Sequence, residues 1–300
     1  MSITCYLLSP RGFCSGVTRA ANMAEQVLRL YKTVYSIEDV IHNKVFVDSL
    51  CSQGFVKVES IDDIPDGSAI MFSAHGVSPR MLNIAEDKGL TIIDGTCPIV
   101  KSIQQGFVKA IESGSKAIII GNRSHAEIIA LLGYARDSEV YVVYNEMDID
   151  MLPSFDNIEV TYFTQTTLDC DYAKKIIDKL KEKIPHIKST SQDNICTATK
   201  MRQDAVKKMA GDVDLVIIVG SSYSSNAKRL CEVAESAGAK KVLRIDSKNE
   251  LNDSDFNGIT SLAISSAAST PESIVQDLVA FIESKYDLDI KDFADTKNDN

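Results

Sequence analysis

The chain has 300 residues, 44% of them apolar, and a net charge of −10. That is enough apolar material for a sizeable core, at a length where one core usually divides into two or three. The acidic balance argues against general nucleic-acid binding, which needs a basic face. No run reaches the roughly 18 apolar residues of a membrane span. The N-terminus has neither the pattern of a signal peptide nor the composition of a transit peptide, so a cytoplasmic location is expected.

In chain order, apolar strands are predicted at 3–8, 69–73, 116–120, 139–143, 158–163, 214–219 and 259–264. Helical periodicity is predicted at 17–31, 98–112, 170–184, 198–210, 225–237 and 272–285. Repeated strand–loop–helix units predict an α/β fold with parallel sheets covered by helices. The layout gives three similar α/β units around one central site, at 14–97, 98–193 and 194–285 with 1–13. The segment from Tyr286 to Asn300 carries five Asp and two Lys among few large apolar residues, and is expected to be a disordered tail.

In parallel sheets, ligands sit beyond the carboxyl ends of the strands. There the sequence places Ala74-His75-Gly76, Gly121 to His125, Thr164 to Thr167, Gly220 to Asn226 and Ser265 to Pro271. Five strands thus aim small polar loops at a common place.

The seven cysteines form no CxxC pair. A reducing compartment makes disulfides unexpected. Cys14, Cys97 and Cys196 are each read as lying at or near a helix N-terminus, where the partial positive charge favours the thiolate that ligates iron. Taken singly, each reads first as a packing residue, and only the shared context turns the reading toward iron. Cys5, Cys51, Cys170 and Cys231 fall inside strand- or helix-like stretches and read as buried packing. The spacings match no short metal motif. If each unit supplies one ligand, three thiolates on a 4Fe–4S cluster would leave one iron with an open position for a substrate oxygen.

Three of the four histidines, His42, His75 and His125, fall in loops flanked by small or polar residues and could donate to phosphate oxygens or relay protons. His186 reads as a surface turn. Glu127 could be a general acid or simply a first-turn helix residue. Ser224, Ser225 and Asn226, and likewise Ser269 and Thr270, read as helix caps and equally as anion sites. No GxxxxGK[ST] or GxGxxG loop supports ordinary nucleotide binding.

The motifs RGFCSGV, HNKVFVDSL, FSAHGVSP, DGTCPIV, TQTT, ICTAT…RQ, GSSYSSNAKRL and ASTPE, in this order from about residue 5 to 282, resemble the LytB/IspH family of 4-hydroxy-3-methylbut-2-enyl diphosphate reductases. The resemblance implies a trefoil of three α/β units around a central iron–sulfur site. It implies one 4Fe–4S cluster on Cys14, Cys97 and Cys196, and a diphosphate substrate bound by His42, His75, His125, Ser224, Ser225, Asn226 and Ser269. Glu127 matches the family's proton donor. The threonine near the substrate alcohol falls at Thr166, with Thr167 as the fallback. The implied reaction is two-electron reductive dehydroxylation to isopentenyl and dimethylallyl diphosphate, with ferredoxin or flavodoxin as electron donor. Two positions depart from the usual motifs: GNRSHAE stands for GHxxHPE, and Gly95 for the Ala of DATCP.

Two other readings stay open on the residues alone. One is a zinc hydrolase on Cys/His ligands. The other is a non-enzymatic iron–sulfur sensor or phosphosugar-binding module.

Overall fold

The computed structural model describes residues 2–189 and 195–294. The chain opens with β1 (Ser2–Ser9) and α1 (Ser15–Leu30). Next come β2 (Val34–Ser36), α2 (Lys44–Ser52), β3 (Phe55–Lys57), β4 (Ala69–Phe72), α3 (Pro79–Asp87) and β5 (Thr91–Asp94), with strands paired in the order β3-β2-β4-β5. After α4 (Pro98–Glu112) come β6 (Lys116–Ile120), α5 (Ala126–Leu132), β7 (Val140–Val143), α6 (Glu146–Asp150), β8 (Val160–Thr164), α7 (Cys170–Lys183) and β9 (Lys188–Ser189), in the order β7-β6-β8-β9. Then α8 (Thr197–Met209) leads to β10 (Leu215–Val219), α9 (Ser225–Ser236), β11 (Val242–Ile245), β12 (Ser261–Ser266), α10 (Glu272–Glu283) and β13 (Asp287–Ala294). These strands join β1 in the order β11-β10-β12-β1-β13. Every pairing is parallel, so the fold is α/β with three small parallel sheets, as the sequence predicts.

The chain divides into two compact units. The first, Met1–Ser15, His42–Phe46 and Thr197–Asn300, holds the five-stranded sheet. The second, Gly16–Ile41 and Val47–Cys196, holds both four-stranded sheets. The anticipated three segments differ from this division, because two sheets share one unit; the boundary at 193/194 lies outside the described residues.

In the first unit, Leu215, Ile217 and Val219 of β10 pack with Leu262 and Ile264 of β12 against Val275, Leu278 and Ile282 of α10. The alternate residues Val216 and Ile218 pack with Ala263 against Val206 and Met209 of α8 and Leu230 and Val233 of α9. A strand covered on both faces needs apolar residues at every position, which explains the unbroken run LVIIV. In the second unit Ile118, Ile120 and Tyr162 pack against Ile176 and Leu180 of α7. Ala117, Ile119 and Phe163 pack on Phe107 of α4 and on Ile128 and Leu131 of α5. The α5 contact fixes the helix that carries Glu127. No helix among the described residues is long and apolar enough to cross a membrane.

The expected disordered tail is corrected over most of its length. Asp287–Ala294 form β13, paired with β1 from Ser2↔Asp287 to Ser9↔Ala294; residues 295–300 lie outside the described residues. Leu288 packs on one core cluster and Phe293 on the other, and Asp292 pairs with Arg11 at 3.0 Å. The acidic composition fits a solvated edge strand, because charge there discourages pairing with another chain. Leu288→Ala and Phe293→Ala should each lower stability by about 1 kcal/mol in denaturant titrations. A freely solvated tail would show no change in midpoint.

Candidate functional site

In the first unit, Cys14 ends a loop held from several sides. Gly12 has φ 75°, its N–H donates to Ser266 Oγ at 3.0 Å, and its carbonyl accepts from Arg202 Nη2 at 2.7 Å. Arg202 is only 2% exposed, and its Nη1 donates to Ala198 O at 2.9 Å. The Cys14 N–H donates to Ala268 O at 3.0 Å. The buried guanidinium thus ties the Cys14 loop to α8, and Ser266 ties it to the end of the five-stranded sheet.

The same unit gathers the hydroxyl-rich loops. Ser269 Oγ donates to His42 O at 2.9 Å, and Lys44 N donates to Ser221 Oγ at 3.3 Å. The His42 ring meets Tyr223 edge-on, with centroids 5.7 Å apart. Ser224 caps α9, its Oγ accepting from Ala227 N at 3.3 Å. Asn226 is buried; its Oδ1 accepts from Ala268 N at 3.0 Å, while its Nδ2 has no hydrogen-bond partner. A buried amide donor without a partner costs free energy unless a ligand accepts from it. Here it lies in the first turn of α9 beside Ser225, where backbone N–H groups favour an anion.

In the second unit, Cys97 is the N-cap of α4, with Pro98 as its first residue, and its N–H donates to Ala74 O at 3.0 Å. Cys196 N donates to Thr166 O at 3.2 Å. Each of Cys14, Cys97 and Cys196 stands one residue before a helix, α1, α4 and α8 respectively, and all three are half-buried. Gly16 leaves room for Cys97: a Cβ at that position would lie 2.4 Å from its Sγ. The Gly95 departure also has a steric cause, since a Cβ there would lie 2.3 Å from Phe72 O. Burial works against the Asp94 carboxylate, but hydrogen bonds from Lys101 and Thr96 hold its pKa below the usual value, fixing the turn that precedes Cys97.

Two strand-end loops of one four-stranded sheet, those after β6 and β8, meet at an acid–hydroxyl pair. Thr166 Oγ1 donates to Glu127 Oε1 at 2.6 Å, and Thr166 N donates to Oε2 at 2.9 Å. Glu127, Thr166 and His125 are all buried. His125 caps α5, its Nδ1 accepting from Glu127 N at 3.3 Å. Its ring stands edge-on to His75, with centroids 5.9 Å apart. The two candidate threonines differ: Thr167 Oγ1 accepts from Gln165 Nε2 at 2.7 Å, and only Thr166 reaches the carboxylate. His186 is exposed, with Nε2 3.0 Å from Ile158 O. Among the described residues, no group of three or more His, Cys, Asp or Glu is arranged to hold one metal ion.

These features define an α/β protein with thiols at helix starts, hydroxyls and imidazoles at strand ends, and one buried carboxylate held by a threonine. The chain belongs to the LytB protein family, whose model matches residues 5–283. It is 40% identical over 278 residues to the 4-hydroxy-3-methylbut-2-enyl diphosphate reductase of Psychrobacter arcticus, covering 91% of this chain and 87% of that protein. The enzyme of the same name from Haemophilus influenzae is 39% identical over 91% of this chain and 88% of its own length. Among solved structures, the E-1-hydroxy-2-methyl-but-2-enyl-4-diphosphate reductase of Plasmodium falciparum superposes with a TM-score of 0.95 at 34% identity, covering 100% of this chain and 94% of that one. A second, the (E)-4-hydroxy-3-methyl-but-2-enyl diphosphate reductase described as the terminal enzyme of the non-mevalonate pathway, gives a TM-score of 0.68 at 29% identity, covering 94% of this chain and 100% of that one.

Sequence reasoning missed Arg202, which is one of several cations on α8 and is set apart only by its burial. It also missed Gln165, whose Oε1 accepts from Asn122 N at 3.1 Å and so joins two strand-end loops. The expectation of four buried packing cysteines needs correction: Cys5 is buried, Cys170 and Cys231 are half-buried, and Cys51 is exposed. Cys51 lies near the end of the short helix α2 on a position turned to solvent, a distinction that a nine-residue amphipathic pattern defines poorly. Burial pushes the Cys5 thiol up to about 12, and burial with the neighbouring Glu235 pushes Cys231 up to about 11. A raised pKa lowers the thiolate fraction at pH 8, and thiolate is the reactive form. Iodoacetamide at pH 8, followed by peptide mass analysis, should label Cys51 quickly, Cys231 slowly and Cys5 only after denaturation. Equal labelling of Cys5 and Cys51 in the native protein would contradict this environment.

Proposed function

We propose that this chain reduces 4-hydroxy-3-methylbut-2-enyl diphosphate to isopentenyl and dimethylallyl diphosphate. The reaction is reductive dehydroxylation: the allylic alcohol takes up two electrons and two protons, its C–O bond breaks, and water leaves. The observation that carries the reading is the buried Glu127 carboxylate held by both the hydroxyl and the N–H of Thr166. Family membership and the strand-end location of these residues support it.

The diphosphate is held by His42, His75, His125, Ser224, Ser225, Asn226 and Ser269. The buried Asn226 Nδ2 supplies a donor that a phosphate oxygen would satisfy. Glu127 delivers a proton at its carboxyl oxygens, and Thr166 orients that carboxyl and can pass a proton through its hydroxyl. His125 keeps Glu127 in place by capping the same helix turn.

Cys14, Cys97 and Cys196 would hold one 4Fe–4S cluster. The donor set fits: three half-buried cysteines, each one residue before a helix, and thiolates are the usual ligands of such a cluster. The space that Gly16 leaves at Cys97 Sγ supports the same assignment. When bound, the cluster supplies electrons one at a time and Lewis acidity at iron. A ferredoxin or flavodoxin serves as donor, and the enzyme works in the cytoplasm.

Replacing Glu127 by Gln keeps the size and removes the acid. Turnover of the diphosphate with reduced dye should fall at least about a hundredfold, with iron content and visible absorption unchanged. Near-normal turnover in Glu127→Gln would remove Glu127 from the proton path.

A further inference from the structure

Beside the acid pair, the second unit carries a hydrogen-bonded chain in which Glu38, Ser73 and His75 follow one another. Ser73 is buried. Its Oγ lies 3.1 Å from Glu38 Oε2 and 3.2 Å from His75 Nδ1, and it also accepts from the His75 backbone N–H at 3.3 Å. The Glu38 backbone is held in turn by a hydrogen bond from Ser36 Oγ to its carbonyl. Glu38 and Ser73 line a crevice with Gly76, Ser78, Ala126 and Ile129, which flanks both His75 and His125 in sequence. Glu38 and Ser73 have no part in the chemistry assigned above.

A hydroxyl has one proton to donate, and here two neighbours compete for it. An ionised carboxylate only accepts, whereas an imidazole nitrogen either donates or accepts. If Ser73 gave its proton to His75 Nδ1, a carboxylate oxygen would face a lone pair at 3.1 Å. If Ser73 donates to Glu38, the serine oxygen accepts from His75 Nδ1–H and every contact is satisfied.

His125 is fixed the other way. Its Nδ1 faces the Glu127 backbone N–H at 3.3 Å, and a backbone N–H can only donate, so that nitrogen carries a lone pair and the ring proton sits on Nε2.

We propose that Glu38, acting through Ser73, is a positioning residue that places a proton on His75 Nδ1, so that the adjacent imidazoles are held in opposite proton arrangements. His75 then meets a ligand only through Nε2, with its ring plane set by Ser73 and its Nδ1–H permanently occupied. His125 presents an Nε2–H donor at all times. One neighbour has a fixed donor, and the other has its state set from behind by a carboxylate at the crevice.

The test is nitrogen-15 NMR of the full chain as purified, since long-range correlation separates protonated from unprotonated ring nitrogens. With four histidines in the chain, His75→Gln and His125→Gln variants assign the two rings. The proposal expects Nδ1 of His75 in the protonated range and Nδ1 of His125 in the unprotonated range. Ser73→Ala and Glu38→Ala should each move His75 Nδ1 toward the unprotonated range and leave His125 unchanged. An unprotonated His75 Nδ1 in the parent chain, or no response to either variant, overturns the proposal. The parent spectrum decides the question even if Ser73→Ala does not fold. A kinetic arm rests on the function proposed above: Ser73→Ala should raise KM for the diphosphate about tenfold with a smaller change in kcat, the effect of disturbing one charge-assisted contact. Expected spectra with no reductase activity would refute that function and leave the histidine assignment standing.

Discussion

Parallel pairing is the constraint from which the rest follows. In all three sheets each strand must return to its starting edge through a crossover, and the crossovers are mostly helices. Most loops at the carboxyl ends of the strands therefore lead into helix N-termini. There the chain meets free backbone N–H groups and partial positive charge, and there it places the candidate serines, threonines and histidines and three of its cysteines. Burial on both faces requires apolar strands, so polar chemistry is confined to the loops. The ends of β4, β6, β8, β10 and β12 are accordingly the polar positions next to a rigid core.

Within each unit, side chains hold those loops at fixed positions. Arg202 and Ser266 clamp Gly12 ahead of Cys14. Asp94, held by Lys101 and Thr96, clamps the turn ahead of Cys97. Glu127 is clamped twice by Thr166 and once through His125. The proton-donor role proposed for Glu127 would gain from such fixation, because little reorganisation is left for the reacting step. Asn226 differs in that one of its donors remains unmet by the protein, as expected of a contact reserved for a ligand.

Much of this was legible in the sequence. The long apolar runs located the central strands, and the cysteines were placed correctly at helix starts because Pro98 and the small residues around Cys14 mark helix entry. The short strands β2 and β3 were not legible, since three residues give too little periodicity to read. β13 was misread because its acidic residues outweighed the alternation of Leu288 and Ile290 in a composition argument. Glu38 and Ser73 carry no motif signal at all: their meaning lies in a meeting between residues 35 positions apart. Gly95 looked like a departure from pattern, and only the approach of Phe72 O explains it. Tertiary contact thus decides the supporting residues, while local sequence points to the candidate site residues.

Cys14, Cys97 and Cys196, one residue before α1, α4 and α8, are proposed to bind iron and sulfide. The most direct measurement is the metal and sulfide content of the full chain purified without oxygen, taken with its visible absorption spectrum. The expected result is a brown protein with roughly four irons and four sulfides per chain, and loss of both in a Cys97→Ser variant. A colourless protein that stays empty after anaerobic reconstitution with iron and sulfide, or one that carries stoichiometric zinc instead, would contradict it.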